Sequence, residues 1–151
     1  MEAEGTEKTV LKYREDVAKL AKYIPWLESK KGNDVSSVYM ADSVSGHGFS
    51  FPVFDSTLMS FIEEAKGSVL INENYAYTYT RNSIQDVSDE KLIIENAAIQ
   101  NIKDVCDIFS RYILGGCTKA RIWNEGVDKQ IFLLALNKLR ELIEFWDKPL
   151  S

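Results

Sequence analysis

The sequence predicts a single α+β domain over residues 1–151, with four to five helices around a small antiparallel β-sheet or hairpin. Apolar residues recur at three- and four-residue steps near the end of the chain, as is typical of a buried helix. Tyrosines alternate with smaller residues over 75–80, as is typical of a strand. The 151 residues, 45% hydrophobic and 27% charged, suit one hydrophobic core.

The first helix is predicted from a cap at Thr6 and a regular apolar face. Pro25 disfavours a helical conformation at the residue before it, so we expect the helix to end near Tyr23. Trp26 and Leu27 should pack under its end, and residues 28–34 should form a loop. We expect the acidic, polar residues 1–6 to be flexible. The apolar face comprises Val10, Tyr13, Val17, Leu20 and Ile24.

Extended segments and one short helix are predicted next. Val35, Val38 and Tyr39 weakly favour a strand, and Pro52 restricts a second extended piece to an edge position. Asp55 can cap a short helix that ends at Gly67. The second extended piece has Phe49, Phe51 and Val53 on one side, and the helix has Leu58, Phe61, Ile62 and Ala65 on its buried side.

A hairpin and a long helix are expected in the middle of the chain. Residues 68–71 and 75–80 predict its two strands, with Tyr75, Tyr77 and Tyr79 on one face. Ser88 should then start a helix that continues to the glycine pair. Its apolar stripe comprises Leu92, Ile99, Ile102, Cys106, Phe109 and Ile113.

Gly115 and Gly116 are expected to end that helix and reverse the chain, with a positive φ at one of them. Thr118 can cap a short helix that Gly126 weakens or ends. The last helix is predicted over Asp128–Trp146, mostly buried and with two neighbouring helices. Its apolar residues are Phe132, Leu133, Leu134, Ala135, Leu136, Leu139, Leu142, Ile143 and Trp146.

The overall charge argues against several classes of partner. The net charge is −5 and the pI is about 5.0, which opposes binding to a nucleic-acid backbone.

No apolar run approaches the roughly 20 residues that span a bilayer, and the acidic N-terminus is unlike a secretory signal. Two cysteines make no disulfide framework. We therefore expect a cytoplasmic protein without a membrane partner, cofactor or metal site, and the pattern leaves its oligomeric state open.

The residues after the glycine pair are the candidate binding site. Glycine amides, a helix N-terminus and two cations could hold an anion or an acidic group of a partner. The alternative is structural, because a helix end followed by a helix cap explains the same residues, and the phosphate-binding P-loop spacing is absent. A surface ion pair between Arg121 and Glu125 is also expected. The candidate binding residues are Thr118, Lys119, Arg121 and Glu125.

Three other features have both a functional and a structural interpretation. The single histidine, His47, lacks the companions that a zinc site needs, and a nucleophilic pair with Cys117 would require the fold to join them. The tyrosine row could stack bases, but packing against a helix is favoured because a cationic groove is missing. The acidic residues are a solvated surface by default, or a face that competes with nucleic acid for a basic groove.

The segments KYIPWLE, FPVFDSTLMSFI, YAYTYTRN and YILGGCTKARIWNEGV together resemble an uncharacterised family of small proteins from Gram-positive gut bacteria, often carried on mobile elements. The resemblance implies a bacterial source and an accessory role, but no chemistry. We expect a non-enzymatic protein-binding or regulatory protein. The alternatives are a mobile-element inhibitor of a host defence nuclease and, last, a small hydrolase or nucleotide-binding enzyme. The enzyme would require a deep polar pocket that contains Thr118, Lys119, Arg121 and His47.

Overall fold

The core of the protein is formed by helices that pack on other helices. A computed structural model describes residues 2–30, 36–41 and 49–147, with side chains at 10–30 and 54–145. Within those ranges the elements, in chain order, are α1 (Glu2–Ala21), α2 (Ile24–Ser29), β1 (Ser36–Ala41), β2 (Phe49–Phe54), α3 (Ser56–Lys66), α4 (Ala76–Arg81), α5 (Val87–Asn96), a 3-10 turn (Ile99–Asn101), α6 (Ile102–Thr118), α7 (Arg121–Asp128) and α8 (Ile131–Asp147).

The predicted α+β fold around a β-sheet is wrong. The centre of the protein is α8, which packs against α1, α2, α5, α6 and α7. Strands β1 and β2 form one antiparallel hairpin, with Ser36 opposite Phe54 and Ala41 opposite Phe49. No third strand joins this hairpin in the described ranges. The protein is therefore predominantly helical.

The prediction of a buried last helix is confirmed, but its start is not Asp128. Asp128 still belongs to α7, and Gln130 adopts a left-handed φ of 67° before α8 begins. Five helices rather than two surround α8, because its apolar residues cover most of its circumference. The α8 side chains with no solvent exposure are Ile131, Phe132, Ala135, Leu136 and Leu139.

The predicted bounds of α3 and the predicted end of α1 are confirmed. The Asp55 carboxylate accepts a hydrogen bond from the Thr57 amide at 2.7 Å and caps α3, which ends just before Gly67. Helix α1 ends at Ala21, near the predicted Tyr23. It begins at Glu2, however, so Thr6 is not its cap.

The segment after Tyr23 forms the short helix α2 instead of a simple foot under α1. Pro25 lies in its first turn, where the missing amide hydrogen costs nothing. The predicted loop over 28–34 starts only at residue 30, and 31–35 lie outside the described residues.

The predicted hairpin over 68–80 does not form. Residues 68–71 make a turn after α3, and the tyrosine-rich segment is the helix α4. Helical spacing brings Tyr75 and Tyr79 together, with ring centroids 6.4 Å apart, and turns Tyr77 to solvent with 74% of its surface exposed. The three rings therefore do not share a face.

The long helix predicted from Ser88 to the glycine pair is broken in the middle. Ala97 and Ala98 are extended, with ψ of 134° and 178°, and separate α5 from the 3-10 turn. Asn101 supports the break because its side-chain oxygen accepts a hydrogen bond from the Ala98 amide at 3.2 Å. Leu92, predicted as core, is consequently 55% exposed.

The predicted chain reversal at Gly115 and Gly116 is also wrong. Both glycines lie inside α6, which continues to Thr118, and neither has a positive φ. The chain turns instead at Lys119, whose backbone is extended.

Candidate functional site

The four candidate binding residues all lie on the surface at the corner between α6 and α7. Thr118, Lys119, Arg121 and Glu125 are exposed, as the sequence predicts. Thr118 is the last residue of α6 rather than the cap of α7, whose first turn follows Ala120. Among the described residues, no ion pair joins Arg121 and Glu125.

The predicted anion site depended on a loop at Gly115 and Gly116, and that loop does not form. The amides of Gly115 and Gly116 lie within the helix rather than in a loop. In the turn that follows, the Ile122 amide donates to the Lys119 carbonyl at 2.9 Å and the Trp123 amide donates to the Ala120 carbonyl at 3.0 Å. These donors are therefore already engaged, and among the described residues no ion pair includes Lys119 or Arg121.

A residue that sequence reasoning did not single out makes this corner rigid. The Trp123 ring fills the space beside Gly116, and its indole N–H donates to the Ile113 carbonyl at 2.9 Å. Phe54, the last residue of β2, packs edge-on against the same ring with centroids 5.8 Å apart. The corner thus presents its polar residues on a fixed backbone.

The described residues provide no support for a metal site or for a nucleophilic cysteine. His47 lies outside the described residues, so the hypothesis that it pairs with Cys117 stays untested. Cys117 is exposed, whereas Cys106 is buried and burial raises the pKa of its thiol. No cluster of three metal-ligating side chains occurs within the described part of the chain.

A buried carboxylate holds α4, α5 and α6 together. Glu90 is 2% exposed, and it accepts hydrogen bonds from the hydroxyls of Tyr79 and Tyr112, both at 2.5 Å. The Arg111 guanidinium contributes an ion pair at 3.4 Å and stacks over the Tyr112 ring. Burial, then the hydrogen bond to Glu90, raises the pKa of both tyrosine hydroxyls.

A second buried carboxylate fixes α4 from the other side. Asp107 is 1% exposed and accepts from the Thr78 hydroxyl at 2.6 Å and from the Asn72 side-chain amide at 2.9 Å. The hydroxyl of Ser110, also on α6, accepts from the Asn72 backbone amide at 2.9 Å. Arg81 closes the outer end by pairing with Asp104 at 2.7 Å.

These two networks are structural rather than catalytic in geometry. Each buried carboxylate accepts hydrogen bonds from side chains of neighbouring segments, which is how proteins accommodate buried charge. Glu90 lies on α5 and Asp107 in the first half of α6, whereas the corner residues lie between the end of α6 and α7. Of the three tyrosines predicted as a base-stacking row, Tyr79 therefore bonds to Glu90, Tyr75 packs against Tyr79, and Tyr77 lies in solvent.

The surface has a pair of adjoining clefts along α5 and the end of α8. One, with a volume of about 360 Å³, is lined by Asn82, Asp89, Leu92, Ile93, Asn96, Ala97, Asn101 and Asp104. The other, about 350 Å³, is lined by Ala97, Lys138, Glu141, Leu142, Glu144 and Phe145. Ala97 belongs to both, so the clefts meet there. We call this combined surface the α5–α8 cleft.

A third cleft of about 240 Å³ lies between α1 and the end of α3, with Asp16, Glu63 and Glu64 in its wall. None of the three clefts contains the corner residues Thr118, Lys119, Arg121 or Glu125. These clefts therefore do not supply the deep polar pocket that the enzymatic alternative requires.

The α5–α8 cleft combines exposed apolar side chains with acidic walls. Leu92 and Phe145 are 55% and 71% exposed, and each lines one of its two halves. The cleft could not be predicted from the sequence, because the cleft depends on the break at Ala97 and no single residue predicts that break.

Comparison of the chain with protein-family models, with curated proteins and with solved structures finds no match. The resemblance to a bacterial family of unknown function is therefore untested. Within the described ranges, no helix has the length and apolar character needed to cross a membrane.

Proposed function

We propose that the protein is a cytoplasmic, non-enzymatic protein-binding module that docks a partner on the α5–α8 cleft. The observation that carries the proposal is the exposure of Leu92 and Phe145 in the walls of two clefts that meet at Ala97. Exposed apolar side chains in a concave surface are typical of interaction sites, whereas single ones on convex surfaces are common and need no explanation.

Other exposed apolar residues support this choice by contrast. Leu11, Met59, Val69 and Tyr77 are 40–74% exposed, but none of them lines any of the three clefts. Apolar side chains of a partner that cover Leu92 and Phe145 would exclude water from both, and buried contacts of this kind supply much of the binding energy of an interface.

Site-specific photo-crosslinking in the source cells tests this proposal. A photoreactive phenylalanine analogue placed at Leu92 or at Phe145 should form an adduct with the same protein, and the same analogue at Tyr77 should not. Tyr77 is the matched control because its side chain is at least as exposed as those of Phe145 and Leu92.

Binding of the purified partner gives the quantitative readout. Leu92→Ala combined with Phe145→Ala should weaken its affinity at least tenfold, while Tyr77→Ala should change it less than twofold. Adducts that form equally at Tyr77, or an affinity that the double variant leaves unchanged, would contradict the proposal.

A second candidate function is inhibition of a host defence nuclease from a mobile element. The net charge of −5 and the acidic cleft walls support it, since a nuclease has a basic groove for nucleic acid. A nuclease among the crosslinked partners, inhibited by the wild-type protein and not by the Leu92→Ala, Phe145→Ala variant, is the expected result.

A further inference from the structure

We infer that the occupant of the α5–α8 cleft is a basic amphipathic helix, whose apolar stripe packs on Leu92 and Phe145 and whose Lys or Arg residues face the acidic walls. This inference rests on the proposed function, because it names the chemistry of the partner at that same surface.

The α5–α8 cleft is acidic. Its walls carry four carboxylates, Asp89, Asp104, Glu141 and Glu144, and one ammonium, Lys138. Lys138 is already engaged, because it pairs with Glu141 at 3.4 Å and donates to the Glu95 carbonyl at 3.0 Å. The surface thus offers negative potential, which a cationic partner complements.

Two of these carboxylates have no cation of their own. Asp104 pairs with Arg81 at 2.7 Å, but no ion pair of the described residues includes Asp89 or Glu144. Asp89 accepts one hydrogen bond, from the Gln85 amide at 2.9 Å, which leaves lone pairs available. Asp89 lines one half of the cleft and Glu144 the other, so a cationic ligand would meet an unpaired carboxylate at either end.

The shape of the cleft favours a helix over a strand. A strand binds by extending a sheet edge, whereas the residues that line this cleft lie on or next to helices and none of them belongs to a strand. Affinity must then come from side chains, and a helix can lay its apolar ridge into a groove between two helices. The apolar residues that line the cleft provide that contact, namely Leu92, Ile93, Ala97, Leu142 and Phe145.

The same charges argue against a second copy of this chain and against an anionic surface. A symmetric dimer through the cleft would place the unpaired carboxylates Asp89 and Glu144 against like charges. Nucleic acid and anionic lipid would be repelled for the same reason.

A pair of synthetic peptides supplies the direct test. Both are 18-residue amphipathic helices with the same leucine pattern, one with lysine and one with glutamate on its polar face. In fluorescence anisotropy at low salt, the lysine peptide should bind the wild-type protein at least tenfold more tightly than the glutamate peptide, and added salt should narrow the difference.

Carboxylate variants in the cleft and on another surface show whether the lysine peptide binds at the cleft or is only attracted by the net negative charge of the protein. Glu144→Gln and Asp89→Asn should each weaken the lysine peptide threefold or more. Glu28→Gln removes one exposed carboxylate on α2 and should change the affinity for the lysine peptide less than 1.5-fold. Glu144 makes no hydrogen bond or ion pair within the described residues, so its variant should fold even if Asp89→Asn does not.

The remaining outcomes distinguish the two proposals. Equal binding of both peptides, or equal loss of affinity in Glu28→Gln and Glu144→Gln, overturns the basic-helix inference. A partner that crosslinks at Leu92 and Phe145 through an acidic or neutral segment overturns it too, but leaves the protein-binding function standing. A dimer in light scattering that Leu92→Ala dissolves would show that a second copy occupies the cleft and would also overturn the inference.

Discussion

Trp123 packs so closely on Gly116 that any Cβ at position 116 would overlap the indole ring. The contact joins α6 to α7 and is reinforced by the indole hydrogen bond to Ile113. The glycine therefore serves close packing between two helices rather than an unusual backbone conformation.

Gly116→Ala should destabilise the protein by about 1–3 kcal/mol, the usual cost of inserting a methyl group into a packed site. The sign is diagnostic, because the same change inside an unhindered helix stabilises it by about 1 kcal/mol. Chemical denaturation measures the difference.

Gly115→Ala is the matched control. Its Cβ would lie 3.3 Å from Cδ1 of Ile122, the end of a side chain that can move. We expect no loss of stability there, and equal losses in both variants would show that the Trp123 contact is not the cause.

The glycine pair shows where sequence reasoning reached its limit. A glycine after a helical pattern usually ends the helix, and nothing local distinguishes that case from one in which a ring on another helix needs the space. The information lies in Trp123, seven residues further along and on the next helix. By contrast, the α3 cap at Asp55 was predictable because both partners of that hydrogen bond are neighbours in the chain.

Leu136→Ala and Leu139→Ala should each destabilise the protein by about 2–5 kcal/mol, because both side chains are fully buried and truncation leaves a cavity. Phe145→Ala, on the same helix but 71% exposed, should cost less than about 0.5 kcal/mol. Losses under 1 kcal/mol at both leucines would contradict the central position of α8.

The tyrosine-rich segment explains most of the error in fold class. Alternation of Tyr75, Tyr77 and Tyr79 predicts a strand, yet tertiary contacts determine the outcome: Thr78 bonds to Asp107 and Tyr79 bonds to Glu90. A six-residue helix has little stability of its own, so those distant carboxylates decide its form.

Tyr112→Phe should lower stability at neutral pH by about 1.5–3 kcal/mol, because the buried Glu90 carboxylate loses a hydroxyl donor. It should also flatten the alkaline pH dependence. The pKa of Tyr112 is raised in the folded protein, so this hydroxyl ionises more readily in the unfolded chain. Its contribution is complete below about pH 10 and is lost as the pH rises above that value.

Tyr77→Phe provides the control, since Tyr77 is 74% exposed and its hydroxyl makes no hydrogen bond among the described residues. It should leave both the neutral stability and the alkaline slope unchanged. Denaturant midpoints between pH 7 and 11 measure both quantities, and a Tyr112→Phe slope as steep as wild type would contradict the link to Glu90.

Gln130→Gly should make the protein more stable than Gln130→Ala by about 1 kcal/mol. Gln130 has a φ of 67°, a left-handed conformation that costs a residue with a Cβ about 1–2 kcal/mol and glycine almost nothing. Alanine removes the side chain but keeps the strain. Equal stability of the two variants would mean that the turn before α8 relaxes without cost.

The candidate site was predictable in part. Exposure of Lys119 and Arg121 followed from their charge, which is a local property. The α5–α8 cleft did not, because a continuous helix from Ser88 would have placed Leu92 in the core. The extended backbone at Ala97 changes the phase of α5 relative to α6 and turns Leu92 to solvent.

Replacing both Lys119 and Arg121 by alanine tests whether the exposed corner is a second binding surface. Both side chains are exposed and make no ion pair within the described residues, so the free energy of unfolding should change by less than about 0.5 kcal/mol. If an acidic group of a partner binds the corner, the double variant should weaken that partner's affinity by threefold or more, with a shallower salt dependence. The Leu92→Ala, Phe145→Ala variant should leave this contact intact because its residues line a different surface. Unchanged affinity in the Lys119→Ala, Arg121→Ala protein, measured with the crosslinked partner, would reject the corner as a binding site.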